Sequence, residues 1–236
     1  MNPLDWLTER PIAHRGYHDG NRERYENSLS AFQAAVEQGF AIECDVQPTA
    51  DGDVVVFHDA TLDRLTAEHG SVRDRTAEAL RQITLGRTGD RIPTLAKALD
   101  LIAGAVPVVV EMKGPAEPGY AEAVLAAAKR YSGPIALMSF DHDLVRAVLG
   151  HGVAFGLTAE GTDAAALQEH RWISPNVDFL SYGVDDLPNP FVEAFRRSRR
   201  PVITWTVRTP EQRAATERYA DQMTFEGFDP NATVRQ

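Results

Sequence analysis

A chain of 236 residues and 26.0 kDa, 43% hydrophobic and 25% charged, has enough apolar surface for a large core. Its 17 Gly and 14 Pro are too few for a collagen-like or low-complexity chain. Acidic residues outnumber basic ones 34 to 24, and the resulting formal charge of -10 repels nucleic acid. In the first residues, Met-Asn-Pro-Leu-Asp-Trp, no basic region leads into an apolar stretch, and the single cysteine, Cys44, cannot form an intramolecular disulfide. The longest apolar run, 101–110, is about half the roughly 20 residues needed to span a bilayer. A cytoplasmic protein with no membrane span is expected.

Short runs rich in β-branched and aromatic residues alternate with longer alanine-rich amphipathic stretches, the pattern of βα units on a parallel sheet. In chain order the predicted strands are 11–13, 41–46, 106–112, 135–138, 153–157, 179–182, 202–207 and 222–225. The predicted helices are 28–38, 95–103, 121–130, 143–149, 163–170, 191–197 and 211–219. Asn27 or Ser28 can cap the first helix, Gly39 can close it, and Asp141 stands at the N-cap of the fourth. Eight such units fit an α/β fold of the (β/α)8 TIM-barrel type, which typically takes about 250 residues. A doubly wound open sheet is the alternative. The stretch 59–91 breaks the rhythm: it is charged, has no strong strand and carries only a weak helix near 76–82. It is read as a small insertion on the C-terminal rim. The run 54–57, after the turn-forming Asp51-Gly52, is read as an extra strand continuing from the second barrel strand.

Active sites of such barrels lie at the C-terminal ends of the strands, so ionisable residues there carry most weight. Strand alternation puts Glu43 and Asp45 on one face, with Ile42, Cys44 and Val46 on the other. After the apolar Val108-Val109-Val110, Glu111 and Lys113 share a face in the same way. Three carboxylates around one point repel and partly reprotonate unless a cation sits among them, and an all-oxygen shell suits Mg²⁺, Ca²⁺ or Mn²⁺ over Zn²⁺. Carboxylates salt-bridged to Arg15 or Lys113, or lying in solvent, satisfy the same spacing. Lys113 follows a buried apolar strand, unlike Lys97 and Lys129, and a point-charge cation beside a metal suggests a phosphate oxyanion. His14 and Arg15 follow the first strand, and His58 and Asp59 end the run 54–57. Two imidazoles on one rim can take and give a proton across a scissile bond, although either alone could be structural. Trp205, inward on the seventh strand, can stack on substrate or pack within the barrel. His69, His151 and His170 stand in polar or loop contexts, and Cys44 is expected to be buried and inert.

The string Ile12-Ala13-His14-Arg15-Gly16, then Glu26-Asn27-Ser28, Glu43-Cys44-Asp45-Val46 with Asp51-Gly52, and Phe57-His58-Asp59 with Leu62-Asp63-Arg64-Leu65-Thr66 resembles the glycerophosphodiester phosphodiesterase family. The resemblance continues through Ile92-Pro93-Thr94-Leu95, Glu111-Met112-Lys113, Ser139-Phe140 and Trp205-Thr206-Val207, in order over nearly the whole chain. It implies one (β/α)8 barrel domain over 1–236, with 59–91 as its insertion. The implied activity is metal-dependent hydrolysis of small-molecule glycerophosphodiesters to glycerol 3-phosphate and an alcohol. Carried over by position, His14 and His58 are the acid and base, and Glu43, Asp45 and Glu111 hold a divalent metal, Mg²⁺ or Ca²⁺ with Mn²⁺ as a further choice. Arg15 and Lys113 contact phosphate, and Glu26 and Asn27 support them. The family also implies a cyclic-phosphate route in which the substrate's own hydroxyl attacks.

Two positions depart from the pattern. Tyr25-Glu26-Asn27 stands where many members have Pro-Glu-Asn, and Thr224-Phe225-Glu226 where many end with Thr-Asp; the second change is read as an aromatic residue replacing a polar one on the rim. The competing functions are hydrolysis of another phosphodiester, such as a lysophospholipid, and a non-catalytic phosphoester-binding barrel. The residues specify no oligomeric state.

Overall fold

Short strands buried along their whole length form the wall, as a parallel sheet covered by helices requires. In the computed structural model, which describes residues 3–232, the elements follow the chain as β1 (Ile12–Ala13), α1 (Leu29–Gln38), β2 (Ala41–Pro48), β3 (Val54–Val56), α2 (Ala77–Leu80), α3 (Leu95–Ile102), β4 (Val108–Met112) and α4 (Tyr120–Arg130). They continue as β5 (Ile135–Ser139), α5 (His142–Val148), β6 (Ala154–Ala159), α6 (Ala164–Ile173), β7 (Phe179–Gly183), α7 (Pro190–Arg197), β8 (Val202–Val207), α8 (Pro210–Tyr219) and β9 (Gln222–Phe225). Parallel pairing runs from β2 through β4 to β9 and closes through β1, which pairs with both β9 and β2. The eight predicted wall strands thus form a closed parallel barrel, and closure excludes the doubly wound open sheet.

Local chemistry sets the element ends. Ser28, not Asn27, caps α1 by accepting from the Ala31 amide, and Gly39 ends that helix at φ 70°. Asp141 caps α5 by accepting from the Asp143 and Leu144 amides, as expected. The weak helix near 76–82 is one turn, Ala77–Leu80, capped by Thr76. The extra strand forms where expected, and the turn before it sets its direction. The Asp51-Gly52 turn, with Gly52 at φ 80°, sends β3 back antiparallel to β2, pairing Val46 with Val56 and Pro48 with Val54. Residues 57–59 therefore return over the top of the barrel instead of leaving it.

Three apolar clusters fill the molecule. The main one lies between strands and helices and includes Ile42, Cys44, Val110, Leu157 and Tyr182. A second plugs the lower barrel with Ile12, Val109, Met138, Phe179 and Ile203; a β-carbon on Gly156 would lie 2.4 Å from the Phe179 ring, so glycine admits that plug. The third belongs to the insertion and its edge, including Val55, Phe57, Leu62, Val72, Leu80 and Leu85. Tyr25 packs on this third cluster, and its hydroxyl oxygen lies 2.0 Å from where a β-carbon of Gly86 would be. The Tyr25 departure therefore serves the insertion's own core. Phe225 is also a correction: it does not stand on the rim but is buried in the barrel–helix layer, its ring 5.0 Å from Phe40 and 5.6 Å from Phe228. His170 differs too, being buried in α6 against Tyr182 and Phe191.

Candidate active site

Register brings the acids together. In the β2–β4 pairing Asp45 lies opposite Glu111 and Glu43 opposite Val109, so all three inward carboxylates meet at the C-terminal mouth. One carboxylate oxygen from each of Glu43, Asp45 and Glu111 lies within 4.8 Å of the others, and all three residues are buried. Oxygen ligands around Mg²⁺ stand at about 2.0–2.1 Å and around Ca²⁺ at about 2.3–2.6 Å, which puts opposite ligands roughly 4–5 Å apart. The spread and the oxygen-only donor set fit a hard divalent cation.

The salt-bridged reading holds for two of the three. Asp45 has Arg15 Nε at 3.1 Å and Lys113 Nζ at 3.3 Å, and Glu111 accepts from Lys113 Nζ at 2.6 Å. Burial works to raise the Asp45 pKa, but Lys113 and Arg15 overcome it and hold that carboxyl at about 2. Among the described residues no Arg or Lys side chain stands at salt-bridge distance from Glu43. Its Oε2 accepts from the Arg15 amide at 2.8 Å, with His14 Nε2 at 4.0 Å. Burial, together with the charges of Asp45 and Glu111, pushes its pKa well above the usual carboxylate value. Glu111 is also raised, by burial, with Lys113 opposing. Positive charge is short at Glu43, where an added cation would relieve the repulsion.

Supporting residues surround this group. With Ser28 capping α1, Asn27 is free to donate from Nδ2 to Asp45 Oδ2 at 2.9 Å while its Oδ1 accepts from the Asp45 amide at 3.2 Å. Glu26 Oε1 accepts from Arg15 Nη1 at 2.7 Å and Oε2 from Asn21 Nδ2 at 2.8 Å. Arg15 adopts φ 55°, which turns its amide to Glu43 and its side chain across Asp45 and Glu26.

Each candidate histidine has a carboxylate at Nδ1. His58 bonds Asp59 Oδ1 at 2.7 Å, and His14 bonds Glu226 Oε2 at 2.8 Å. In both cases an Nδ1–H donor to a carboxylate leaves Nε2 as the nitrogen free to exchange a proton. Burial lowers both imidazole pKa values: for His14 against the Glu226 hydrogen bond, for His58 against the charge of Asp45. Arginines back the two carboxylates, Arg208 at 2.9 Å from Glu226 and Arg64 at 2.6 Å from Asp59. Sequence reasoning missed Glu226, although the acid directly after the last wall strand was a usable signal. His18, also near the rim, has Nε2 4.0 Å from Glu226 Oε1.

Trp205 lies on β8 with Phe140 edge-on to it at 5.3 Å, and Phe140 is 41% exposed. Cys44 is buried, and burial raises its thiol pKa well above normal, as inertness requires. The geometry thus gathers the three acids, Arg15 and Lys113, with Glu26 and Asn27 bonded to them.

Comparison with known proteins gives a consistent result. The glycerophosphoryl diester phosphodiesterase family model matches residues 14–228. The chain is 38% identical over 149 residues to a glycerophosphodiester phosphodiesterase of Caldanaerobacter subterraneus, covering 58% of this chain and 60% of that one. To human glycerophosphodiester phosphodiesterase 1 it is 33% identical over 108 residues, 42% of this chain and 31% of that one. The match thus spans three fifths or less of these relatives. Among solved structures, an Oleispira antarctica phosphodiesterase in complex with the product sn-glycerol-3-phosphate superposes with a TM-score of 0.80 at 22% identity, covering 94% of each chain. A glycerophosphodiester phosphodiesterase from Thermotoga maritima gives 0.75 at 26% identity, covering 92% of this chain and 93% of that one.

Proposed function

The chain belongs to the glycerophosphoryl diester phosphodiesterase family, and from that premise we propose that it hydrolyses glycerophosphodiesters to glycerol 3-phosphate and an alcohol. The observation that carries the reading is the buried triad Glu43, Asp45 and Glu111 with Arg15 and Lys113 alongside, at the mouth where barrel enzymes work. The product named for the Oleispira antarctica structure supports the substrate class. We assign the activity to one barrel domain carrying residues 59–91 as a rim insertion. The unpaired, buried Cys44 suits a cytoplasmic setting.

Glu43, Asp45 and Glu111 would hold Mg²⁺, Ca²⁺ or Mn²⁺, which when bound supplies charge stabilisation at a phosphoryl oxygen. Arg15 and Lys113, with side chains 17% and 22% exposed, are reachable from the mouth and orient the phosphodiester. His14 and His58 act through Nε2: one takes the proton of the attacking hydroxyl and the other gives a proton to the departing alkoxide. Glu226 and Asp59 hold the imidazoles in the tautomer this requires. The attacking group is the substrate's own adjacent hydroxyl: its new P–O bond forms as the bond to the alcohol breaks, leaving a cyclic phosphate, and water then opens one ring P–O bond to give glycerol 3-phosphate, with the two histidines exchanging roles. Trp205 and Phe140 give the mouth an apolar wall for the rest of the substrate.

The test is metal-stripped protein with glycerophosphocholine, glycerophosphoethanolamine or glycerophosphoglycerol, with and without each metal, assayed for glycerol 3-phosphate. Metal-dependent release is expected. The exposed Phe140 favours adding lysophosphatidylcholine: turnover of that substrate alone would move the assignment to lysophospholipids. Tight binding of substrate without release from folded, metal-loaded protein would make this a binding barrel.

A further inference from the structure

Arg64 lies in the insertion, outside the barrel wall, yet its guanidinium bonds two buried or half-buried carboxylates at once. Nε and Nη2 donate to Asp59 Oδ2 and Oδ1 at 2.6 and 2.9 Å, while Nη1 and Nη2 donate to Glu26 Oε2 and Oε1 at 2.8 and 2.7 Å. Each carboxylate in turn holds a site residue: Asp59 Oδ1 accepts from His58 Nδ1 at 2.7 Å and Glu26 Oε1 from Arg15 Nη1 at 2.7 Å. We propose that Arg64 is a positioning residue that locks the His58–Asp59 and Arg15–Glu26 pairs into one connected assembly at the mouth. This inference rests on the assignment of His58 as acid or base and of Arg15 as a phosphate contact.

Two features separate this role from the alternatives. An ordinary exposed ion pair contributes little, but two fork-to-fork contacts fix direction as well as distance, and an ammonium cannot copy them. Direct phosphate binding is disfavoured because four of the five guanidinium N–H groups are already spent on Asp59 and Glu26. The Glu26 carboxylate is equally committed, with Asn21 and Arg15 taking its other bonds. Arg64 therefore acts through His58 and Arg15, not on the substrate.

The test uses Arg64→Gln and Arg64→Lys in the full chain, with kcat and KM for glycerol 3-phosphate release and ¹⁵N spectra of the His58 imidazole. Both variants are expected to lose about 10- to 100-fold in kcat, the scale of a small misplacement of a reacting group. In a His58→Ala background, Arg64→Gln should cost clearly less in kcat than it does in wild type, because one of the two groups it positions is gone and only the Arg15–Glu26 pair remains to be disturbed. The imidazole of wild type should show one tautomer, protonated on Nδ1, and that of Arg64→Gln a mixture. Restoration of kcat by Arg64→Lys, an undiminished loss in the His58→Ala background, or an unchanged tautomer in Arg64→Gln would each overturn the proposal. If wild type releases no glycerol 3-phosphate, the functional reading fails separately, and the imidazole spectra still decide whether Arg64 positions His58.

Discussion

Neutralising Glu43 should stabilise the metal-stripped protein while abolishing most of its response to metal. Glu43 lies within 4.8 Å of both other carboxylates, and at an effective dielectric of 20 each repulsion on its ionised form is about 3–4 kcal/mol, a cost that the raised pKa meets in part by taking up a proton on folding. Asp45 and Glu111 have side-chain cations against them, whereas Glu43 relies on the Arg15 amide and the nearby guanidinium. With Arg15 and Lys113 offsetting much of the sum, a net gain of about 2 kcal/mol is expected for Glu43→Gln, whose amide oxygen keeps the backbone hydrogen bond. For a chain of this length that raises Tm by about 4–8 °C. A divalent cation at 100 times its Kd stabilises wild type by about 2.7 kcal/mol, a further shift of roughly 5–10 °C that Glu43→Gln should largely lack. Differential scanning calorimetry on chelator-treated protein, before and after adding Mg²⁺, Ca²⁺ or Mn²⁺, reads both effects. A metal-stripped Glu43→Gln variant that melts below wild type, or an equal metal shift in both proteins, would refute the charge balance derived for the site.

His14→Ala and His58→Ala are each expected to lower kcat by about 10² or more with Tm within a few degrees of wild type, read by glycerol 3-phosphate release and calorimetry. Glu226 is depressed to about 2 because the His14 hydrogen bond and nearby cations outweigh its burial, so its contribution is present above the unfolded carboxylate value of about 4.3 and fades as pH falls toward 2. The stability difference between wild type and Glu226→Gln should accordingly be full at pH 6 and shrink below pH 4, as measured by urea denaturation at each pH. Phe179→Ala empties the lower plug of the barrel and should cost about 3–5 kcal/mol, measured by the same denaturation at pH 7.

The wall of the barrel was legible because its strands are short runs rich in β-branched, aromatic and other apolar residues, set between longer amphipathic stretches, and the acids were legible because period-two alternation survives within a strand. Glu43 and Asp45 needed only that rule, and Glu111 with Lys113 needed it again on the neighbouring strand. Alternation stops where a strand stops. Glu226 sits one residue beyond β9, so its partnership with His14 depends on how the chain turns off the wall, and Phe225 was placed on the rim when its ring belongs to the outer layer. The direction of β3 turned on three-dimensional closure of a hairpin, of which the sequence displays only the Asp51-Gly52 turn. Arg64 stood in a recognised run of residues without a role, because a bond reaching 38 positions back to Glu26 leaves no periodic trace.

The insertion shares an apolar cluster with Val55 and Phe57 of the β3 edge and with Tyr25, distinct from the clusters of the barrel and helices, and it also reaches the site through long polar side chains. Arg64 is one; Arg73 is another, donating to the carbonyls of Lys113 and Gly114 at 2.8 Å each, to the Pro115 carbonyl at 3.1 Å and to Glu117. A unit with its own core, joined to the barrel at one strand edge, can open as a separate cooperative step while the rest of the barrel stays folded. Warming would then slacken the histidine and lysine before the strands part, and the temperature at which catalysis ends would fall below the temperature at which the barrel melts.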